Sequence, residues 1–379
     1  MAKKKLLFFS IFIIIILVFV LTIYNIIYKN NNIYLNNKDE APNFISIMLE
    51  ETASSGEYKV SKSNKWPSKG YVFNKEMSYC NNGSTLTWNE NDNSVSVNIN
   101  KTDKCYVYFD IYQLTLAEYI KSQYTGTQGE NSLYYHNSTL TNGAGDNSYR
   151  YAGASDSVNN YICLGSDATT CPDANLFRII GVFGNQTKVI RAKSVGYQQW
   201  HTSESNTWSS SSLNAYLNGT YLTSLGTIAE KIATTTWKVG GGSGSNISAS
   251  VPATAYKNEV GSSASTTIID KKIGLMYVSD YGFAASPSAW TKILGDYDGT
   301  DANGTSIKTI NWMYMGYNEW TISRHSDNTN SAFFVNSTGN VLGSNVRSDN
   351  GVRPSFNLES SVKYVSGSGS MSDPVRVTD

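Results

Sequence analysis

The chain has few of the residues from which most catalytic and metal sites are built, with three histidines and four cysteines in 379 residues. No GxSxG sequence is present, so the strand-to-helix turn that carries the nucleophile of many serine hydrolases is not predicted. No CxxC pair is present, and the cysteines do not cluster with histidine at zinc-ligand spacing. Because the sequence offers no catalytic signature, we expect a protein that is not an enzyme.

Charge is sparse as well. With 30 basic and 30 acidic residues, charged side chains make up only 16% of the chain. Such a balance gives no electrostatic reason to bind nucleic acid, which attracts basic surfaces. The 12% of aromatic residues is enough for a hydrophobic core. Together with abundant Asn, Ser, Thr, Gly and Tyr, this composition is typical of a β-rich, loop-rich exported protein.

One long apolar run is present, from Leu6 to Ile23, and it contains no charged residue. A helix of that length measures about 27 Å, close to the ~30 Å hydrocarbon thickness of a bilayer. Lysines precede the run, so we expect a cytoplasmic tail at residues 1–5 and an uncleaved transmembrane anchor at 6–28. The protein would then be a single-pass cell-membrane protein whose other domains are extracellular. A cleaved signal peptide is the alternative interpretation.

The four cysteines all follow this run, and disulfides persist outside the cell. Four cysteines allow three pairings. The sequential pairing, Cys80 with Cys105 and Cys163 with Cys171, is locally the simplest because it closes short loops. We therefore expect two structural disulfides.

Residues 56–112 contain short runs in which apolar and polar residues alternate, separated by Asn-Gly and Asn-Asp turns. Val95 and Val97 fall on one face of such a run. This pattern predicts a small antiparallel β domain, clamped by the Cys80–Cys105 disulfide. An Asn-rich stalk at 29–55 is expected to precede it.

The remaining residues, 113–379, are predicted to form one larger domain. A linker helix at 114–124 opens it, and a hairpin at 175–196 turns at Gly184-Asn185 between two apolar runs. An amphipathic helix is predicted at 209–225, behind a serine N-cap.

Two later segments are predicted from their composition. Residues 239–268 are rich in Gly, Ser and Ala and are expected to form an exposed, mobile loop. Residues 271–283 are more apolar and are expected to form a buried strand. The fold class is therefore α+β, with a transmembrane helix, a small β domain, and a β-rich domain that has two or so helices and long loops.

The stretch SRHSDN combines Ser323, His325 and Asp327, the residue types of a serine-hydrolase triad. No strand-to-helix elbow accompanies it. We therefore interpret it as a polar loop at the end of a strand.

The acidic stretch DYDGTDANGT contains candidate ligand-binding residues. Asp296, Asp298 and Asp301 offer hard oxygen ligands for Ca²⁺, the one cofactor considered. EF-hand spacing fails, because Asp301 occupies the position that requires glycine. Clusters of Asp, Asn and Gly also form ordinary turns, which is the alternative.

Exposed aromatic rings can stack on sugars, and Trp200, Trp208 and Trp290 are candidates for that role. Most tryptophans are core residues, and this is the alternative. The loops expected to carry ligand contacts are 197–210, 239–268 and 284–305.

The C-terminal stretches EWTISR, SAFFVNSTGNV and GVRPSF resemble the close of a bacterial surface-protein domain of unknown function. That domain is similar to the C-type lectin-like fold shared by the formylglycine-generating-enzyme family and the Fibrobacter major paralogous domain. The stretches GYVFN and YICLGSDATTCPDANLFRIIGVFG also resemble uncharacterised cell-surface proteins of AT-rich Gram-positive gut bacteria. The resemblance covers roughly residues 56–365. It implies framework roles for Trp320, Arg324, Gly351, Arg353 and Pro354.

The resemblance implies a C-type lectin-like fold for residues 113–379, but no activity. The formylglycine-generating branch uses a reactive cysteine pair late in its domain, whereas no cysteine follows Cys171 here. The calcium-dependent lectin branch uses a Trp-Asn-Asp triplet, whereas this chain has Asn311-Trp312-Met313. The resemblance therefore supplies a fold and not a chemistry.

A membrane-anchored extracellular binding or adhesion protein is the function that these features favour. The expected partner is a glycan or a surface protein, recognised by the lectin-like head. One alternative is a structural component of a surface assembly. Another is a cell-wall or glycan-modifying enzyme that uses acids such as Asp280, Asp296 or Asp298.

Overall fold

A computed structural model describes residues 44–378 except 54, 62–66, 68–69, 90–93, 99–101 and 242–246. The expected cytoplasmic tail 1–5, the transmembrane segment 6–28 and the stalk residues 29–43 lie outside this range. The chain divides into two compact units, one ending at Gln113 and the other beginning at Leu114.

No helix among the described residues has the length and apolarity needed to cross a membrane. The longest α-helix there, Pro252–Glu259, has eight residues, whereas a transmembrane helix needs about 20. The described residues therefore do not support the expected single-pass membrane protein, and the expected span at 6–28 is not among them. The fold class is corrected from α+β with a transmembrane helix to a β-rich fold with a few short helices.

The first unit contains a four-stranded sheet in the order β2-β1-β6-β3 and a separate β4-β5 hairpin. Its strands are β1 Phe44–Glu50, β2 Tyr58–Val60, β3 Tyr71–Cys80, β4 Thr85–Asn89, β5 Ser94–Asn98 and β6 Lys104–Ile111. The strand β1 lies in the segment expected to be a stalk, and it pairs in parallel with β6. It belongs to the sheet because its Ile47 is buried in one cluster with Val107 and Phe109.

Both predicted disulfides are confirmed. Cys80 and Cys105 are directly opposite each other on β3 and β6, with their Cα atoms 4.0 Å apart. Cys163 and Cys171 close a short loop, with Cα atoms 5.8 Å apart. The first bridge joins two neighbouring strands of a sheet whose apolar cluster is small, and such units gain most from a covalent link.

The second unit contains a nine-stranded sheet, a five-stranded sheet and a two-stranded antiparallel sheet. The first half of its strands are β7 Leu133–Tyr135, β8 Tyr149–Tyr151, β9 Tyr161–Cys163, β10 Leu176–Phe183, β11 Gln186–Arg191, β12 Tyr197–Gln199, β13 Thr235–Lys238 and β14 Ile268–Lys271. The others are β15 Ile273–Gly274, β16 Glu319–Arg324, β17 Ser331–Val335, β18 Val341–Asn345, β19 Asp349–Gly351, β20 Ser355–Leu358, β21 Tyr364–Ser366 and β22 Val375–Val377. The large sheet has the order β15-β20-β11-β10-β9-β22-β21, with β8 also paired to β10 and β7 to β8, and the smaller sheet has the order β12-β19-β16-β17-β18.

The helices of this unit are short. They are α1 Leu116–Ser122, α2 Ser212–Tyr216, α3 Leu222–Ser224, α4 Pro252–Glu259 and α5 Val278–Ala284, with a π-helical turn Leu217–Tyr221 between α2 and α3. Short 3₁₀ segments are found at Glu130–Ser132, Asp173–Asn175, Trp208–Ser210, Gly226–Lys231, Ile247–Ala249, Pro287–Ala289, Leu294–Asp296 and Ile307–Ile310. Most of these segments lie between strands and leave the sheets as the main scaffold.

Local sequence patterns located several of these elements. The hairpin β10–β11 turns at Gly184-Asn185, as predicted, because two apolar β-branched runs flank a turn pair. The helix predicted at 209–225 is present as α2, the π turn and α3. Its N-cap Ser211 accepts a hydrogen bond from the N–H of Asn214 at 3.1 Å.

Two segment predictions are wrong. The expected mobile loop 239–268 contains α4, which begins at Pro252, and its Ala255 is fully buried. The expected strand 271–283 contains only the short β15 and then α5. A helix forms there because the Asp280 carboxylate accepts the N–H of Tyr277 at 2.8 Å, which caps the first turn.

A buried ion pair connects Glu319, the first residue of β16, with Arg353, which lies between β19 and β20. Arg353 donates from Nε to Glu319 Oε1 at 2.5 Å and from Nη2 to Glu319 Oε2 at 2.9 Å. It also donates to the carbonyl of Met313 at 2.8 Å. Burial raises the pKa of Glu319, and the Arg353 charge opposes that rise. Removing the guanidinium would therefore leave a carboxylate without its counter-charge in the protein interior.

Arg353→Ala should lower the free energy of unfolding by about 3–5 kcal/mol, the usual effect of breaking a buried pair from one side. His325→Ala is a matched comparison. Its partly exposed ring makes one contact with Asp327 and stacks on Phe333, so we expect a loss below about 1.5 kcal/mol. Urea unfolding of both variants measures the difference. Equal losses would contradict a framework role for Arg353.

Candidate functional site

The three candidate tryptophans are core residues, and their expected role at the surface is wrong. Trp200, Trp208 and Trp290 are at most 1% exposed. The rings of Trp200 and Trp208 pack with their centroids 4.9 Å apart, and Trp290 packs edge-on against Phe283. Burying such large aromatic side chains stabilises the fold, and rings in the interior cannot stack on a surface sugar.

The acidic loop is organised as a turn. Asp296 and Asp298 are exposed, whereas Asp301 is buried and accepts the N–H groups of Asn303 at 2.9 Å and Thr305 at 2.8 Å. The Ser288 hydroxyl, together with these N–H donors, lowers the pKa of Asp301. The buried carboxylate is thus already used within the loop.

A metal-ligand cluster is not formed by the three aspartates. Within the described ranges, the one group of close His, Cys, Asp or Glu ligand atoms is Cys80, Asp103 and Cys105. Two of its members are joined in a disulfide, so they do not supply thiolate ligands.

The stretch SRHSDN does not assemble into a triad. Ser323 is buried, and its hydroxyl donates to the Glu259 carboxylate. His325 instead contacts Asp327, with Nδ1 3.1 Å from Oδ1, and its ring stacks on Phe333. The serine and the histidine therefore have different carboxylate partners.

The framework residues of the C-terminal pattern each make contacts between segments. Trp320 donates from its indole to the carbonyl of Gln198 at 2.9 Å, and Arg324 donates from Nε to the carbonyl of Gly240 at 2.9 Å. At Gly351, an added Cβ would lie 2.7 Å from the Tyr317 ring. The Pro354 carbonyl accepts the N–H of Arg191 at 3.0 Å.

A pocket of about 180 Å³ is the strongest candidate site of the second unit. Three buried charged side chains line it, and we call them the ionic floor: Arg150 from β8, Lys188 from β11 and Asp280 from α5. Three of the half-buried side chains that line it are Phe183, Tyr256 and Asn357, and we call these three the rim. The pocket thus combines buried charge with half-buried aromatic and amide side chains, which is typical of functional sites.

Two larger cavities lined by described residues lack this combination. One of about 490 Å³ lies beside the Cys163–Cys171 loop, and another of about 270 Å³ lies beside Tyr119. In the first, Arg376 already donates to the carbonyls of Ser166 at 2.5 Å and Ala168 at 2.8 Å. Its guanidinium holds a turn of the chain and is not free to select a ligand.

Asp280 is the centre of the ionic floor. Lys188 Nζ lies 2.5 Å from Asp280 Oδ2, and Arg150 Nη1 lies 3.6 Å from Asp280 Oδ1. Arg150 has a second carboxylate partner, because Nη2 donates to Asp146 Oδ2 at 2.7 Å. The two cations of the floor therefore face two carboxylates, Asp280 within the floor and Asp146 outside it.

Aromatic rings surround both cations. Lys188 Nζ lies 4.7 Å from the centroid of Tyr277 and 5.4 Å from that of Trp237. Arg150 Cζ lies 4.6 Å from the centroid of Phe183 and 5.1 Å from that of Tyr256. Ring faces carry negative charge and attract cations, so they replace part of the lost hydration.

The buried setting changes the pKa values of Lys188 in the floor and of Asp146, the second carboxylate partner of Arg150. Burial lowers the pKa of Lys188, and the Asp280 charge only partly offsets it. Burial alone would raise the pKa of Asp146, but the Arg150 charge and the Ser148 hydrogen bonds lower it to about 2. The lysine is therefore easier to deprotonate than an exposed one, whereas Asp146 stays ionised.

Glu259, the last residue of α4, is a further buried acid beside the floor. It accepts the N–H groups of Val278 at 2.9 Å and Ser279 at 2.8 Å, at the start of α5. Burial raises the pKa of Glu259 to about 7, although hydrogen bonds from Ser323 and Ser279 oppose the rise. Its carboxyl group therefore changes protonation near neutral pH.

The rim carries an acceptor without a donor. Asn357 Nδ2 donates to Thr235 Oγ1 at 3.0 Å, but no described residue donates to its buried Oδ1. A buried polar atom in this state costs roughly 1–3 kcal/mol.

Most residues of this pocket were not predicted from the sequence. Asp280 was named only as one possible acid of an enzyme, and Tyr256 only as part of a loop. Lys188 could have been predicted as a buried functional residue, because it is a charged residue next to the apolar residues Val189 and Ile190 of a predicted strand. Nothing in the sequence around Glu259 or Asn357 indicates a role in the site, because that role depends on partners distant in sequence.

Glu259→Gln should flatten the pH dependence of stability. The pKa of Glu259 is about 7 in the folded protein, above the ordinary 4.5, so the folded protein retains a proton that the unfolded chain releases. The free energy of unfolding should therefore fall as the pH rises from about 4.5 through about 7. One pKa unit corresponds to about 1.4 kcal/mol, so this group accounts for roughly 3 kcal/mol of the fall.

The measurement is urea unfolding of the wild type and Glu259→Gln at about pH 5 and about pH 8. Glu230→Gln is the control, because Glu230 is exposed. The free energy of unfolding of the control should fall between about pH 5 and about pH 8 by as much as that of the wild type. A Glu259→Gln variant that loses as much as the control would refute the raised pKa.

The comparisons with known proteins identify one domain. No curated protein and no solved structure matches the chain, and the C-type lectin-like fold stays a prediction. A family model described as "Domain of unknown function (DUF6273)" matches residues 184–360, slightly less than half of the chain. This match includes Lys188, Tyr256, Asp280 and Asn357, whereas Arg150 and Phe183 precede it. Residues 184–360 thus form a DUF6273 domain, a family without an assigned function.

Proposed function

We propose that the second unit is a ligand-binding module whose pocket rim holds one neutral, polar, ring-shaped group, such as a single sugar residue of a glycan. The observation that carries the proposal is the unpartnered acceptor Asn357 Oδ1, whose side chain lines the same pocket as the half-buried rings of Phe183 and Tyr256. The sequence favoured a glycan or a surface protein as the partner, and the proposal takes the first of these.

The size of the pocket supports a small group. Sites for drug-sized ligands usually measure about 300–1,000 Å³. The present pocket, at about 180 Å³, has room for a single ring rather than for a nucleotide or a large cofactor.

The chemistry of the rim supports a sugar. A sugar ring presents apolar C–H faces and hydroxyl donors on the same small body. The rings of Phe183 and Tyr256 would pack on such faces, and Asn357 Oδ1 would accept a hydroxyl hydrogen. Specific polar groups in an otherwise aromatic pocket fix the orientation of a ligand.

The charge of the floor supports a neutral ligand. Arg150 faces Asp146, and Lys188 faces Asp280. No net charge of one sign is left to attract an anionic or cationic group, so recognition would depend on hydrogen bonds and ring packing. Tyr256 belongs to the segment 239–268, one of the loops expected to contact a ligand.

Asn357→Ala and Tyr256→Leu should weaken binding of the full chain to a neutral glycan. Loss of one hydrogen bond corresponds to about 1 kcal/mol, or roughly a fivefold rise in Kd. Loss of the Tyr256 ring should have an effect of similar or greater size. A panel of neutral monosaccharides and short glycans, screened on an array and followed by calorimetry, measures both changes.

Asn303→Ala is the control, because Asn303 is exposed in the acidic loop and far in sequence from the rim residues. It should bind as the wild type does. No binding by the wild type, or equal weakening by the control, would contradict the proposal. Turnover of a bound glycan that Asp280→Asn abolishes would favour the enzyme alternative instead, and binding only to a protein would favour a surface-protein partner.

A further inference from the structure

We propose that Lys188 and Asp280 condense to an intramolecular isopeptide bond, an amide that joins the side chains of β11 and α5 with loss of one water molecule. The two groups are already in contact, with Lys188 Nζ 2.5 Å from Asp280 Oδ2. The bond would form within the folded chain from its own groups. This inference goes beyond the binding proposal and does not depend on it.

The contact is shielded from water. The side chains of Lys188 and Asp280 are 7% and 3% exposed. The amine is surrounded by aromatic rings, with the centroid of Tyr277 at 4.7 Å, that of Trp237 at 5.4 Å and that of Phe183 at 5.7 Å. Because amide formation releases water, a site that excludes water favours the product over its hydrolysis.

The amine is prepared to act as a nucleophile. Only an unprotonated amine can attack a carboxyl carbon. Burial lowers the pKa of Lys188, so its neutral form is more populated than that of an exposed lysine. The short contact also allows a proton to pass directly from Nζ to Oδ2, which yields the amine and the carboxylic acid together.

The close contact between the two groups removes the need for an external reagent that activates the carboxylic acid. Groups held in contact react with effective concentrations of about 10⁵–10⁸ M when they are well oriented. In addition, two buried charges pay a desolvation penalty that a neutral amide does not. Proximity and relief of buried charge therefore both favour condensation.

The atoms and electrons balance without a co-reactant. The Nζ lone pair attacks Cγ of the protonated Asp280 carboxyl, and the carbonyl π pair moves to Oδ1. A proton moves from Nζ to Oδ2, the Cγ–Oδ2 bond breaks, and its electron pair leaves with Oδ2 as water. The Oδ1 pair then restores the carbonyl, so an amine and a carboxylic acid become a secondary amide and water.

Arg150 faces the oxygen that becomes negative during the attack. Its Nη1 lies 3.6 Å from Asp280 Oδ1, where the transient oxyanion forms. Arg150 keeps a counter-charge after the reaction, because its Nη2 donates to Asp146 at 2.7 Å. The product therefore does not leave this guanidinium unpaired.

Other ion pairs of the described residues lack one of these conditions. Lys193 and Asp173 approach to 2.6 Å, but their side chains are 56% and 65% exposed, so water competes for both groups. Arg353 and Glu319 are buried, but a guanidinium is always protonated and does not act as a nucleophile. Lys188–Asp280 is the pair within the described ranges that is buried and also contains an amine.

The test is the intact mass of the folded full chain after its disulfides are reduced and it is denatured. We expect the wild type to be lighter than its sequence by one water molecule. Lys188→Arg, which keeps the charge but not the amine, should have its full sequence mass. Lys193→Arg is the matched control, and it should still lack one water molecule.

Peptide mapping of the wild type locates the bond even if Lys188→Arg fails to fold. A branched peptide that links Lys188 to Asp280, with no tryptic cleavage after Lys188, is the expected result. A wild type at full sequence mass with linear peptides would overturn the inference. So would a loss of water that maps elsewhere or persists in Lys188→Arg. These measurements use no ligand, so a negative result would contradict the isopeptide bond without bearing on the binding proposal.

Discussion

The buried charge of Asp280 is the constraint on which the region around the pocket depends. A carboxylate in the protein interior is tolerated only when opposite charges and donors meet it. Here Lys188 of β11, Arg150 of β8 and the N–H of Tyr277 all do so. Because these partners come from distant parts of the chain, satisfying one carboxylate positions α5 against the nine-stranded sheet. The pocket is the space that this arrangement leaves at the end of α4.

Buried carboxylates with charged or hydrogen-bonding partners are also found elsewhere in the second unit. Glu319 is met by Arg353, which also holds the carbonyl of Met313, and Glu259 is met by two N–H groups of α5 and by Ser323. In each case, a buried acid lies where an irregular segment meets a strand or helix. A fold of short strands, short helices and long connections has limited regular hydrogen bonding, so such polar ties contribute specificity to the packing.

Features determined by neighbouring residues were predictable. The hairpin at Gly184-Asn185 and the helix after Ser211 depend on turn and capping chemistry within a few residues, and the disulfides pair cysteines in sequence order. The segment 239–268 was mistaken for a loop because its composition outweighed the helix start at Pro252. The prediction of a surface role for the candidate tryptophans was wrong for a related reason. A sequence does not distinguish a ring in the core from a ring at the surface.

The sequence by itself determined the β-rich composition, the balanced charge and the local turns, because each depends on residue type or on short-range spacing. It favoured the disulfide pairing that the structure then confirmed. Only the tertiary structure decided the site. Lys188 and Asp280 are far apart along the chain, and neither residue alone indicates the other. Their contact, the rings around it and the unpartnered Asn357 oxygen exist because sheet pairing and helix packing bring separate segments together. Burial then changes the chemistry of these ordinary side chains, since removal of water alters both their pKa values and the strength of their interactions.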